Sequence, residues 1–483
     1  MAGGQVTSAE FSGKHITVAG LGVSGVSAAR ALAGLGARVT VVDGGDNEAL
    51  RERAEELRAA GVAVRLADAA TLPEGTDLVV TSPGWKPDSP LFAAAAEAGA
   101  PVIGDVELAW RLRGPDAAPW LAVTGTNGKT TTVQMLASIL RAAGLRTAAV
   151  GNIGTPIVDI VLEGGAYDVL AVELSSYQLH WAPSVRAHSA AVLNLAPDHL
   201  DWHGSMAAYA TDKGRIYEGN QVACVYNAAD NRTEHLVREA DVEEGCRAIG
   251  FTLGPPGLSM LGVVDGILVD RAFVADRQKN AQELAEVSDI EPAAPHNIAN
   301  ALAAAALARA FGVEPKAVRE GLRAFRPDAH RIAHVADVDG VAYVDDSKAT
   351  NTHAAQASLA AYDRVVWIAG GLAKGATFDE LVASAAQRLR GVVLIGADRA
   401  LIAEALARHA PDVPVVDLDR TDTGAMTAAV LQAARLAGPG DTVLLAPACA
   451  SMDMFVNYNK RGEAFAEAVR ALAGPERGRG TDQ

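Results

Sequence analysis

The chain has 483 residues, 49% hydrophobic and 21% charged, with a formal net charge of −16. The length predicts about two to four domains and the composition a soluble protein with a large core, while the acidic balance excludes nucleic acid, whose backbone it would repel. The three cysteines, Cys224, Cys246 and Cys449, show no C-x-x-C spacing, which excludes a disulfide framework or a structural zinc site. Cys449, in the small-residue turn PACAS, reads as a packed thiol.

Chain order begins with the apolar run HITVA, followed by GLGVSG (Gly20–Gly25), a helix from Val26 to Leu35, and the strand RVTVVD, which ends in Asp43. A charged helix over about Glu48 to Ala60 and the strand DLVVTSPG complete a doubly wound pattern. GLGVSG fits G-x-G-x-x-G, which sets a diphosphate on a helix N-terminus. It also fits a tight turn that binds nothing. A nicotinamide cofactor would need Asp43 on its ribose; the following Gly44 and Gly45 leave that open. The stretch RLRGPDAAP separates this block, residues 1–106, from the next.

The second block, 107–327, opens with WLAVTGTNGKTTTVQMLASIL. A glycine-rich loop between a strand and a helix wraps a polyphosphate in backbone N–H groups. Gly125, Thr126, Asn127, Gly128, Lys129, Thr130 and Thr131 make up that loop. Lys129 is placed to reach the β- and γ-phosphates of ATP and Thr130 to hold Mg²⁺ through its hydroxyl. Val123 stands where the longer form of the motif has glycine, so the match is to GxxGK[ST]. Glu173, ending the strand in DVLAVEL, is expected to be a second Mg²⁺ anchor, or to cap the next helix with Ser175. DHLDWH holds Asp198, His199, Asp201 and His203. The two histidines, four apart, would share a helix face and suit zinc; the carboxylates suit Mg²⁺; a solvated loop fits as well. GVVDGILVDRAFV is expected to be a hairpin flap, and the helices HNIANALAAAALARAFG and EPKAVREGLRAF follow. The first of these is the longest apolar stretch. It is cut by Arg309 and is shorter than the roughly 20 residues of a bilayer span. With no charged-then-apolar leader, a cytoplasmic protein without a membrane partner is expected.

The third block, 328–483, alternates strands (VAYVDDSKATN, RVVWIAGGLAKG, GVVLIGAD, PVVDL, DTVLLAPACAS) with amphipathic helices. It supplies the cations that anionic ligands require in an acidic chain: His330–Arg331, Lys348 and Lys374. The tail GPERGRGTDQ lacks periodicity and is expected to be mobile.

Together these motifs resemble the Mur ligases, over nearly the whole chain from GLGVSG to KRGEAF. GTNGKTT and the acidic-His strand end are common to the family. ELSSYQL, DSKATN and APACASMDMFVNYNKRGEAF are similar to the branch that adds D-glutamate, and the DNPR-type signature of the diaminopimelate- or lysine-adding branch is absent. The resemblance implies three α/β domains: N-terminal Rossmann-like, central P-loop ATPase-like and C-terminal Rossmann-like. It implies an ATP-dependent ligase, expected to be monomeric, that adds D-glutamate to UDP-N-acetylmuramoyl-L-alanine through an acyl phosphate.

By the same resemblance GLGVSG serves the UDP diphosphate rather than NAD, with Val23, Ser24, Gly25, Gly84, Asn152 and Ser175 on the UDP-substrate. Lys129, Asn152, Glu173, His199 and Lys213 are the implied catalytic set. Two Mg²⁺ ions, or Mn²⁺, are held by Thr130, Glu173, His199 and Lys213, the last as a carbamate; a plain surface lysine pairing with Asp212 or Glu218 is the other reading of Lys213. Asn300 (with Asn297), Arg331, Asp346 and Lys348 join ATP, Asp346 through the ribose, and domain closure is expected to assemble the site. Thr350, Lys374, Ser451, Met452 and Tyr458 form the D-glutamate pocket. A folate-glutamate ligase would lack the GLGVSG block; a nicotinamide oxidoreductase would leave GTNGKTT idle.

Overall fold

The strand HITVA is buried at every residue, as expected of a parallel strand covered by helices on both faces. The computed structural model describes residues 10–474 apart from 328, 329, 421 and 423. The start of the third block and the tail from residue 475 therefore lie outside the described residues. Among the described residues the strands form sheets of five, nine and six. The chain divides into two compact units: Met1–Ala293 with Asn297–Phe325, and Ala294–His296 with Arg326–Gln483.

The first unit carries two sheets. One contains β1 (His15–Ala19), β2 (Arg38–Val42), β3 (Ala63–Arg65), β4 (Leu78–Thr81) and β5 (Val102–Gly104) in the order β3-β2-β1-β4-β5, all parallel. The order reverses between β1 and β4, so the loops after these two strands, GLGVSG and TSPG, flank the crevice where such sheets bind ligands. A helix, Asp105–Arg111, runs across residues 106 and 107.

The second sheet contains β6 (Trp120–Thr124), β7 (Thr147–Gly151), β8 (Val169–Glu173), β9 (Ser189–Val192), β10 (Ala223–Asn227), β11 (Arg247–Phe251), β12 (Met260–Val264), β13 (Ile267–Asp270) and β14 (Gln282–Glu286). Its order is β14-β13-β12-β11-β10-β9-β6-β8-β7. The phosphate loop leaves β6 between β8 and β9, so residues at the carboxyl ends of both neighbours face it. The helix Pro295–Ala310 is buried at every residue from Ala301 to Ala308, and no described helix is long and apolar enough to cross a membrane.

The expected hairpin is present but continues this sheet rather than forming a flap: β12 and β13 pair antiparallel through Asp265 and Gly266, both at positive φ (48° and 77°), the backbone a two-residue Asp-Gly hairpin requires. The same turn recurs in the second unit. There β15 (Ala333–Val338) and β16 (Val341–Asp345) pair through Asp339 and Gly340, at φ 52° and 78°. The remaining strands are β17 (Val365–Gly370), β18 (Leu389–Ile395), β19 (Val415–Asp417) and β20 (Thr442–Leu445), in the order β15-β16-β20-β17-β18-β19. Strands β14 and β15 went unread in the sequence because they are polar, antiparallel edge strands without an apolar run. The loops after β16, β17 and β20 leave neighbouring strands, and they carry DSKATN, GGLAKG and PACASMDMF.

Candidate functional site

The phosphate loop is set by backbone geometry. Gly128, at φ 85°, is the N-cap of the helix Lys129–Ala142, a left-handed position that glycine takes without strain. A side chain there would also fall 2.4 Å from Asn300 Oδ1, so the loop and Asn300 are in close approach. Asn127 and Asn194 bond reciprocally: Asn127 N donates to Asn194 Oδ1 (2.9 Å) and Asn194 Nδ2 to Asn127 O (3.1 Å). Thr126 Oγ1 lies 3.0 Å from the Tyr209 hydroxyl and accepts from Ala196 N at 2.9 Å. Lys129 Nζ donates to the carbonyls of Gly125 and Thr126, both at 2.9 Å. Thr130 and Thr131 are buried at the helix start.

Beside this loop sits Glu173, the last residue of β8 and 2% exposed. Oε1 accepts from Asn152 Nδ2 at 2.9 Å, while the buried Oε2 has no hydrogen-bond partner. A dry, unpaired carboxylate oxygen is costly unless a cation meets it. An oxygen of this kind, on the strand next to the loop that carries the Thr130 hydroxyl, is a hard donor of the sort that suits Mg²⁺ or Mn²⁺. Glu173 does not cap the next helix. Ser175 does so, in a capping box with Gln178.

Lys213 is not a surface residue. It is 1% exposed, and Nζ donates to Gly125 O at 2.8 Å and lies 4.7 Å from the centroid of the Tyr209 ring. Burial, and then the charge of Lys129, hold its amine well below the ordinary lysine range, against the pull of Asp198, Glu173 and Asp212. Asp212 is not its ion-pair partner either. That carboxylate bonds His180 Nδ1 and His203 Nδ1 and pairs with Arg215. Burial alone would raise Asp212, but the hydrogen bonds from His180 and His203 outweigh it and bring it down to about 2.

The zinc reading of His199 and His203 fails on geometry. The side chain of His203 is buried with both ring nitrogens engaged, Nδ1 with Asp212 and Nε2 with Ser176 Oγ at 3.0 Å. His199 caps the short helix Leu200–His203 in left-handed backbone, with its side chain 41% exposed. Among the described residues no group of three or more His, Cys, Asp or Glu forms a ready cation cage.

At the β1–β4 crevice, a Cβ on Gly25 would fall 1.9 Å from Gly20 O; only glycine lets the helix Val23–Gly34 approach the strand end so closely. Val23 is 65% exposed, and Ser24 and Gly84 share this end of the sheet. Asp43 spends its carboxylate on the chain itself, accepting from Leu21 N (2.7 Å) and Gly45 N (2.8 Å), so it braces the loop. Asp105 was missed in the sequence. It is raised by full burial, against which hydrogen bonds with Ser24 and Gln178 act. Its carboxylate lies close to Ser24 of GLGVSG and Gln178 of ELSSYQL, and Oδ1 is buried with no hydrogen-bond partner.

In the second unit, Lys348 Nζ lies 3.8 Å from the centroid of the Tyr458 ring, joining a nucleotide candidate to a glutamate candidate. Thr350 N donates to Lys348 O at 2.8 Å. Lys374 is exposed in left-handed backbone (φ 51°), Ser451 is buried and Met452 is 63% exposed. Cys449 is buried, its thiol pushed up to about 12 by burial, as the packed-thiol reading requires. Arg461, also missed, is 1% exposed. It donates to Ser347 Oγ, Ser347 O and Cys449 O at 3.0, 2.8 and 3.1 Å, tying the loop after β16 to the loop after β20. Nothing in local sequence marks a buried arginine.

Asp346, expected at the ATP ribose, is engaged within its own unit. Its carboxylate is buried and bonded to Ser358 Oγ and Ile332 N. Burial lifts it to about 6 despite Ser358 and Arg331. The folded state thus keeps this proton up to about pH 6 while the unfolded chain loses it near pH 4, so stability falls as pH rises through that window. Asp346→Asn is therefore expected to raise the melting temperature at pH 7.5 and to leave it unchanged at pH 4, as differential scanning fluorimetry at both pH values will show.

Residues 14–104 match the Mur ligase MurD-like N-terminal domain, 123–308 the Mur ligase middle domain and 330–449 the Mur ligase glutamate ligase domain. The chain is 81% identical over 462 residues to the UDP-N-acetylmuramoylalanine–D-glutamate ligase of Streptomyces avermitilis, covering 96% of this chain and 99% of that one. It is 62% identical over 467 residues to the ligase of the same name from Thermobifida fusca, covering 96% and 100%. Among solved structures, its fold is similar to UDP-N-acetylmuramate-alanine ligase MurC of Thermotoga maritima (TM-score 0.56, 19% identity, 95% and 99% covered) and MurF of Acinetobacter baumannii (TM-score 0.58, 16% identity, 89% and 90% covered).

Proposed function

Since the chain belongs to the Mur ligase family, we infer that it joins D-glutamate to UDP-N-acetylmuramoyl-L-alanine, using ATP, in peptidoglycan precursor synthesis. The observation that carries the chemistry is the phosphate loop flanked by the unpaired Glu173 oxygen and the buried Lys213 amine.

A carboxylate resists attack by an amine because it is already anionic. The alanyl carboxylate therefore attacks the γ-phosphorus of ATP, ADP leaves, and an acyl phosphate forms. The D-glutamate amine adds to the acyl carbon, loses a proton, and the tetrahedral adduct expels phosphate to leave the amide. Because every reactant is an anion, the protein's work is alignment and charge neutralisation. Lys129 and the backbone N–H groups of Gly125 to Thr131 hold the polyphosphate, and Asn152 attends the transferring phosphoryl group. Thr130 and Glu173 would hold one Mg²⁺, and His199 with a Lys213 carbamate a second, Mn²⁺ serving equally; when bound, these ions neutralise phosphate and carboxylate charge.

Val23, Ser24, Gly25, Gly84, Asn152 and Ser175 are assigned to the UDP-substrate. Asn300, Arg331, Asp346 and Lys348 are assigned to ATP, with Asp346 acting through its hold on the Arg331 turn. Thr350, Lys374, Ser451, Met452 and Tyr458 are assigned to D-glutamate. The three domains are 1–106 for the UDP-substrate, 107–327 for ATP and 328–483 for D-glutamate, in a cytoplasmic monomer.

Phosphate release from ATP, measured with UDP-N-acetylmuramoyl-L-alanine and either enantiomer of glutamate, tests the reading. Release is expected with D-glutamate and not with L-glutamate; equal release with both, or none with either, refutes it.

A further inference from the structure

Arg331 stands in a turn the chain does not adopt readily. The residues on either side, His330 and Ile332, are both left-handed (φ 66° and 48°) and neither is glycine. Such backbone, most of all at a β-branched residue, persists only where surrounding contacts hold it. His330 Nδ1–H donates to Asp345 Oδ2 at 2.6 Å, Ile332 N donates to Asp346 Oδ1 at 3.3 Å, and His330 O accepts from Lys348 N at 3.2 Å. Asp345 Oδ1 accepts in turn from Ser347 N at 2.9 Å.

A second observation comes from the helix Tyr458–Ala473. Gly462 lies in its interior, where glycine is disfavoured. A Cβ there would sit 2.1 Å from His330 Nδ1 and 2.7 Å from Asp345 Oδ2. The helix gives up a good helix former at the one point where His330 and Asp345 meet.

We propose that His330, seated on Gly462 and held by Asp345, is a positioning residue that fixes the strained turn presenting Arg331 to ATP. This rests on the assignment of Arg331 to ATP and goes beyond it, because it names the residues that set the arginine's direction. The turn bonds the chain to Lys348 and Asp346, so its loss should be felt more on the nucleotide than on D-glutamate.

Steady-state kinetics of the full chain, with melting temperatures, test this on Arg331→Ala, His330→Gly, Gly462→Ala and the double variant. Glycine accepts positive φ, so His330→Gly removes the pin without adding strain; Gly462→Ala removes it from the helix side while improving the helix. Each single change at 330 or 462 is expected to raise KM for ATP about tenfold, with kcat and KM for D-glutamate within about twofold. The Gly462→Ala melting temperature should fall no further than that of His330→Gly, and the double variant should be no worse than the poorer single one. His330→Asn, which tolerates left-handed backbone and can donate to Asp345, should restore part of the loss.

If Arg331→Ala raises KM for ATP while His330→Gly does not, the pin is overturned and the ATP assignment stands. If Arg331→Ala leaves KM for ATP unchanged, the assignment falls and the pin with it. Additive losses with lower melting temperatures and a higher KM for D-glutamate would show a merely structural contact and also overturn the proposal.

Discussion

Lys213→Ala is expected to lower amide formation by about a thousandfold, the scale seen when a group that meets transition-state charge is removed. The amine lies in a dry site, against Gly125 O and near Lys129. An ammonium there is disfavoured twice, by lost hydration and by a like charge. An uncharged amine is the form that adds CO₂, giving a carbamate and releasing a proton. The product is an anion where the sequence has a cation, and it suits a divalent ion beside an anionic substrate. Lys213→Met keeps the volume without the nitrogen and should lose as much activity. Bicarbonate should restore part of the alanine variant, where space is left, and none of the methionine variant. Isotopically labelled CO₂ should give a carbamate NMR signal in the wild type that both variants lack. A fully active Lys213→Ala protein would end the carbamate reading.

Glu173→Gln should cost about 10²–10³ in kcat and, in the opposite sense, raise the melting temperature. The carboxylate is buried beside the phosphate loop, with Oε1 bonded to Asn152 and Oε2 unpaired. Without its cation such a charge destabilises the fold, and a neutral amide of the same shape relieves that cost. The wild-type melting temperature should rise with ATP and Mg²⁺ together, and that of the variant should not respond to the metal. A variant that melts lower and still responds to Mg²⁺ would show Glu173 to be an ordinary structural acid.

Both predictions concern residues that the sequence singled out but did not explain. Glu173 was readable because a carboxylate at a strand end next to a GxxGK[ST] loop is a local pattern, yet the choice between metal anchor and helix cap needed Ser175 placed in the cap. Lys213 could be read as a surface lysine because the partners that decide its character, Gly125, Thr124 and Lys129, lie more than eighty residues away in the chain. The His199–His203 pair, four apart, suggested a shared helix face. The helix begins only after His199, and His203 is taken by Asp212 and Ser176. Arg461 and Asp105 left no local trace, since burial of a charge is a property of what packs on it.

The sequence by itself determined what depends on neighbours along the chain. The three α/β blocks, the phosphate loop, the crevice loop and the Asp-Gly turns follow from apolar period, glycine backbone freedom and strand-end position, all of which act within a few residues. Only the tertiary structure decided which ionisable groups are dry, which are already spoken for and which backbone is held under strain. Asp346 turned inward depends on a neighbouring helix and turn, and Lys213 stripped of water and His330 lodged on Gly462 depend on partners from distant segments, because desolvation and steric exclusion are set by what surrounds a group in space.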